Sequence, residues 1–271
     1  MRSEIVENLQ PAFDPVAVVW SNDIPANALQ FKGGKFGCTL YLFAEASRRG
    51  RSAGGNRETI TCMGGCAALG FGVGFDATEE LLDRYAAVFS KGLESTNDRD
   101  AYLARMESVP KRWRSLFEFG ERRHCTAELA REWILEGLPR YDITKEYVWF
   151  KPLSHTGPEE EIKAVIFPLN PLELAGLVTL AGSVMRGTDP VRVPQGPACT
   201  SLAAFAYAEA DLEEPRAVLG MLDTEGREVM RKRFREDTLT LTLPWPLFQR
   251  MEEEAKNCIF QTPSWTSLIG E

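Results

Sequence analysis

The chain has 271 residues, 44% of them hydrophobic and 26% charged, with a formal net charge of −8. This is a globular composition that supplies a core without help from disulfides. The acidic balance excludes a general nucleic-acid binder and disfavours docking on an anionic membrane surface.

The opening residues, Met-Arg-Ser-Glu-Ile-Val-Glu, carry two acids and no apolar segment of the secretory kind. The longest apolar stretches, residues 67–75 and 172–185, are too short to span a bilayer. A cytoplasmic location is the expectation. Thiols stay reduced there, so clustered cysteines point to metal or catalysis.

Residues 15–20, Pro-Val-Ala-Val-Val-Trp, are read as a short buried strand. Residues 33–39, Gly-Gly-Lys-Phe-Gly-Cys-Thr, make a glycine turn from which Cys38 opens a helix over 39–49. Arg48 and Arg49 suit the negative end of its dipole. Residues 50–55 are expected to be a loop, and 58–62 alternate like a strand with Ile60 and Cys62 on one face. A helix is predicted over 79–89, where Leu81, Leu82, Tyr85, Val88 and Phe89 share a stripe. Asp76 and Glu79 have capping-box spacing before it.

Residues 92–145 are richer in charge and read as a helical insertion or lid, with helices near 100–108 and 127–136. Residues 147–150 and 164–167 predict the two strands of a hairpin, its tip the acidic run Glu159-Glu160-Glu161. Pro171 opens a largely buried helix to about residue 185, and another follows Cys199 to about 208. Residues 218–222 and the alternating 238–243 are strands, the second half-exposed, and a last helix covers about 247–256. Ala17-Val18-Val19 and Ala164-Val165-Ile166 are both strands followed later by Cys-Thr heading a helix, an echo that suggests two related halves.

Four cysteines sit in glycine-rich settings. Cys38 follows Gly37, Cys62 and Cys66 frame Met-Gly-Gly, and Cys199 follows Gly196-Pro197-Ala198. Glycine lets the backbone turn sharply or approach an inorganic group with no β-carbon in the way. A helix N-terminus stabilises a thiolate, and Cys38 and Cys199 both read as occupying one. Four thiolates from three segments would close the fold around one centre. Cys-x3-Cys is neither a zinc-ribbon pair nor a small-ferredoxin run, and only one ligand pair is compact. A cubane accepts scattered cysteines and gains from amide donors, so a 4Fe-4S cluster stands ahead of zinc. The competing reading makes the four cysteines small buried hydrophobes.

Other candidates carry less. His124 reads as part of a surface basic patch and His155 as a turn residue. Residues 70–74, Gly-Phe-Gly-Val-Gly, lack a dinucleotide fingerprint and suit close packing instead. The basic run 231–235 reads as a solvated face or an anion site, and Asp223, Gly226 and Arg227 as turn residues or pocket walls.

The order of residues 15–18, Cys38, Cys62-x-Gly64-Gly65-x3-Leu69-Gly70-Phe71, Asn170-Pro171, Cys199 and Leu219-Gly220…Asp223…Arg227 resembles the DUF169 (ArCR) family of prokaryotic proteins. The resemblance covers nearly the whole chain, with residues 100–136 matching least. It implies Cys38, Cys62 and Cys199 as site residues. The family has no settled activity and is frequent in anaerobes, a background that suits an oxygen-sensitive cluster. Without Cys66 the centre would have three protein thiolates and an open iron.

The expectation is therefore one α+β domain over 1–271, a mixed sheet covered by helices in two interleaved, pseudo-related halves. It would carry an iron–sulfur cluster on Cys38, Cys62, Cys66 and Cys199, for electron transfer or redox sensing with a redox partner protein. The alternatives are a metal-free protein holding a small anionic ligand near the cysteine-headed helices, a zinc-stabilised domain, and a thiol enzyme using Cys38 or Cys199.

Overall fold

The computed structural model describes residues 1–33, 36–72, 74–107 and 111–270. Parts of three expectations lie outside them: residues 34–35 of the glycine turn, Val73 of the glycine run, and Ser108 at the end of a predicted helix. The chain divides into two compact units, residues 1–71 with 141–271, and residues 72–140.

The strands are β1 Val16–Ser21, β2 Leu29–Gln30, β3 Ala53–Gly55, β4 Tyr147–Pro152, β5 Glu161–Leu169, β6 Val191–Arg192, β7 Ala217–Gly220 and β8 Leu239–Pro244. The helices are α1 Glu4–Leu9, α2 Thr39–Arg49, α3 Met63–Leu69, α4 Glu79–Phe89, α5 Arg99–Met106, α6 Arg114–Phe119, α7 Ala127–Glu132, α8 Pro171–Ser183, α9 Ala198–Leu202, α10 Ala204–Ala210, α11 Thr224–Met230, α12 Trp245–Glu254 and α13 Pro263–Ile269. The fold is α+β. All the strands belong to the first unit and form one mixed sheet in the order β2-β3-β4-β1-β5-β8-β7-β6.

The apolar run in β1 fixes that order. Val16, Ala17, Val18 and Val19 are all buried, so both faces of β1 need cover and it takes a central place. It pairs antiparallel with β4 on one side and β5 on the other. From each outer edge inwards the succession is the same. A parallel pair (β2–β3 or β6–β7) is followed by an antiparallel neighbour (β4 or β8), which adjoins the central strand (β1 or β5).

One face of the sheet, through Ala17, Val19, Trp149, Val165, Phe167, Leu241 and Leu243, packs on α1, α8, α12 and α13. The opposite face carries α2, α9 and α10, with α3 and α11 packed against these helices. Phe43 of α2 meets Phe150 of β4 and Phe234 there. Asn170 caps α8 with a full capping box to Glu173. Gly50 ends α2 in the left-handed conformation its φ of 63° requires.

Several expectations need correction. β4 and β5 do not form a hairpin, because β1 lies between them. The strand expected at 58–62 lies earlier, at β3. Gly54 there abuts β4 so tightly that a β-carbon would fall 2.1 Å from the Val148 carbonyl oxygen. The helix after Cys199 breaks at Ala203 into α9 and α10. β8 is not half-exposed: Thr240 and Thr242, on its polar face, are as buried as its leucines, beneath α9 and α10.

In the second unit α4 spans its predicted residues. Its cap is Thr78, which accepts from the Leu81 N–H, rather than Asp76. Phe75, Phe89 and Trp133 stack edge to face, and a π-helical turn over Trp133–Gly137 continues α7. Among the described residues no helix is long and apolar enough to cross a membrane.

Candidate functional site: thiols at converging helix starts

Helices begin at cysteine or aspartate on the sheet face opposite α8 and α12. Cys38 is the N-cap of α2 and Cys62 the N-cap of α3, both with extended backbone. Cys199 is the second residue of α9, behind Pro197. Asp223 caps α11, its Oδ1 accepting from the Gly226 N–H at 2.7 Å. Cysteine is not a favoured cap, and neither Cys38 nor Cys62 makes a side-chain capping bond.

Missing β-carbons bring the helices together. One added at Gly65 of α3 would lie 2.6 Å from the Thr39 methyl of α2. One added at Gly220 of β7 would lie 2.7 Å from Ser201 Cβ of α9. Gly226 sets α11 directly against Ala198. The Cys199 thiol donates to the Gly64 carbonyl at 3.6 Å, joining α9 to α3.

The thiols sense one another. Burial pushes the Cys199 thiol well above its usual range, and nearby Cys62, Cys38 and Asp223 raise it further, while the Thr200 backbone opposes this. Burial likewise raises Cys62, against the pull of the Gly65 and Gly64 amides. Cys66 is raised to about 11, by burial and then by Cys62, with Arg57 acting the other way. Cys38 and Cys62 thus lie near Cys199, burial acts on Cys62 and Cys199, and glycine amides lie beside Cys62. The chemistry open to such a group is ligation of a cationic centre or attack by a thiolate.

The sequence-predicted residues separate clearly. Cys38, Cys62 and Cys199 come together. Cys66 is next to Cys62, but its thiol donates to the Ile60 carbonyl at 2.7 Å. Cys258 donates to the Ala255 carbonyl and packs with the core on the other sheet face. Cys125 is exposed in the second unit. Among the described residues, no three Cys, His, Asp or Glu side chains converge closely enough to hold a metal ion. Asp223, which sequence marks only as a turn or pocket residue, lies close enough to Cys199 to raise its thiol. Cys62 and Asp223 share a local position, each the N-cap of a helix after a strand.

The fold and site define an α+β protein with a single mixed sheet and a group of half-buried cysteines at helix starts. The chain belongs to the DUF169 family, described as uncharacterised ArCR, which matches residues 4–254. Neither the curated proteins nor the solved structures yield a match.

Proposed function

We propose that this chain is a cytosolic iron–sulfur protein of electron transfer or redox sensing, its cluster held by Cys38, Cys62 and Cys199. The observation that carries the reading is the meeting of these three cysteines, remote in sequence, at the starts of α2, α3 and α9. When bound, a cluster of this kind supplies one-electron exchange with a partner protein.

The residues suit a cluster better than a lone ion. Zinc bound to thiolates at about 2.3 Å draws its sulfurs within about 4 Å of one another. Among the described residues no three Cys, His, Asp or Glu side chains are grouped to hold a single ion, and a polynuclear cluster spreads its terminal ligands wider. The Gly64 and Gly65 amides stabilise negative charge on Cys62, as donors to cluster sulfurs do. Asp223, close enough to Cys199 to raise its thiol, is our candidate for a fourth ligand, and we read the shared N-cap positions of Cys62 and Asp223 as the mark of two related halves. Cys66 lies behind this group and supports the turn through Ile60.

Anaerobically purified protein, or protein reconstituted with iron and sulfide, should be brown and contain both elements. Cys62→Ser and Cys199→Ser should each lose most of the iron, and Cys258→Ser should keep it. Colourless wild-type protein without iron after reconstitution, or equal losses from all three substitutions, overturns the reading.

A further inference from the structure

The outer side of α11 forms one wall of a cavity of about 440 Å³, lined also by β8, Pro168 of β5 and the segment after α11. The size falls in the range of small-molecule sites. Met221, Met230, Phe234 and Pro168 make part of the lining apolar. One of its lining cations is Arg227, which is half-buried and makes no ion pair with any described carboxylate. The guanidinium donates instead to the carbonyls of Met221 at 3.1 Å, Thr238 at 3.4 Å and Glu236. Of the five N–H groups that a guanidinium carries, these bonds leave two for a ligand. Met221 holds its carbonyl there from a left-handed φ of 60°, which a non-glycine residue seldom adopts.

The charges of the wall define the ligand. Arg231 is paired with Glu228 at 2.9 Å and Arg235 with Asp237 at 3.5 Å. With Arg231 and Arg235 each neutralised in this way, Arg227 is the lining guanidinium that no described carboxylate pairs. One unpaired guanidinium suits a monoanion better than a phosphate dianion. A guanidinium with N–H groups to spare takes a carboxylate in forked geometry. Beneath the wall, Thr240 Oγ1 is buried without a hydrogen-bond partner, and native structures commonly meet such a group with a bound water or ligand.

We propose that this cavity binds a small organic monocarboxylate, its head on Arg227 and its hydrocarbon body against Met221, Met230 and Phe234. The site is distinct from the thiol group and does not depend on what that group holds.

The test uses hexanoate and 3-phenylpropionate as probes, followed by calorimetry on the full chain. Hexanamide and phenyl phosphate separate head-group charge from shape. Both carboxylates should bind, hexanamide at least about tenfold more weakly, as expected for a lost charge-assisted pair. Arg227→Gln should weaken hexanoate by at least about tenfold while keeping an N–H donor for the carbonyls. Thr224→Trp, at an exposed position on the rim, should block both carboxylates while leaving the fold intact, so the proposal stays testable if Arg227→Gln unfolds. The proposal fails if neither carboxylate binds, if hexanamide equals hexanoate, if phenyl phosphate is preferred, or if Thr224→Trp binds as wild type does.

Discussion

Gly226 of α11 sits so close to Ala198 of α9 that a β-carbon on the glycine would come within 2.5 Å of the alanine methyl. The same β-carbon would lie 2.7 Å from Asp223 Oδ2. The alanine methyl is fixed to its backbone and the Asp223 carboxylate is held by its bond from the Gly226 N–H, so the strain cannot be relieved cheaply. Gly226→Ala is expected to destabilise the fold by about 2 kcal/mol, in the range for overpacking. Urea denaturation checks this. Unchanged stability would mean that α11 is free to move away from α9.

Asp223 raises the Cys199 thiol by its negative charge. Asp223→Asn keeps a capping side chain and removes that charge. In metal-free protein Cys199 should then ionise at lower pH and react faster with iodoacetamide at a fixed pH below its pKa. Peptide mass spectrometry after timed alkylation follows this. An unchanged rate at Cys199 would separate the two residues.

Glu209 is almost fully buried and receives the Arg216 backbone N–H and Nε at 3.1 Å, Arg216 Nη2 at 3.0 Å and Arg192 Nη1 at 3.2 Å. Burial alone would raise its carboxyl, but the Arg216 bonds outweigh burial and hold it below the ordinary 4.5. A depressed carboxylate gives stability that is present above 4.5 and lost as pH falls through the folded value. Glu209→Gln should lower the melting temperature at pH 7 and flatten the fall in stability below pH 4.5. Parallel acid limbs for the two proteins would contradict this.

Thr242 is fully buried and its Oγ1 has no hydrogen-bond partner. Valine has the same shape without the hydroxyl, so Thr242→Val should stabilise the protein by about 1 kcal/mol. The denaturant midpoint reads this directly. A lower midpoint would mean that the hydroxyl is satisfied by a buried water.

The helices α2, α4 and α8 were legible because each carries its own local signal: the arginines and Gly50 at the end of α2, one apolar stripe in α4, and Asn170-Pro171 before α8. The sheet was legible in content but not in order. Nothing within residues 147–167 reveals that β1, more than a hundred residues earlier, parts the expected hairpin. The threonines of β8 read as a solvent face because polarity was taken as exposure, whereas α9 and α10 cover them. For the candidate site, the glycine-flanked cysteines Cys38, Cys62 and Cys199 could be singled out from sequence, and their nearness to one another could not. Cys66 looked equivalent at Cys-x3-Cys spacing, but one helical turn aims its sulfur at the Ile60 carbonyl. Asp223 was hidden because an aspartate before a helix is the commonest of caps.

The central place of β1 also has a consequence for how the molecule is made. Its partners, Tyr147–Pro152 and Glu161–Leu169, leave the ribosome more than a hundred residues after it does. Throughout that interval the most apolar strand of the sheet has two open edges, the condition under which nascent chains aggregate. Distant pairing of this sort makes folding slow, and the first strand to be synthesised is among the last to be fully enclosed.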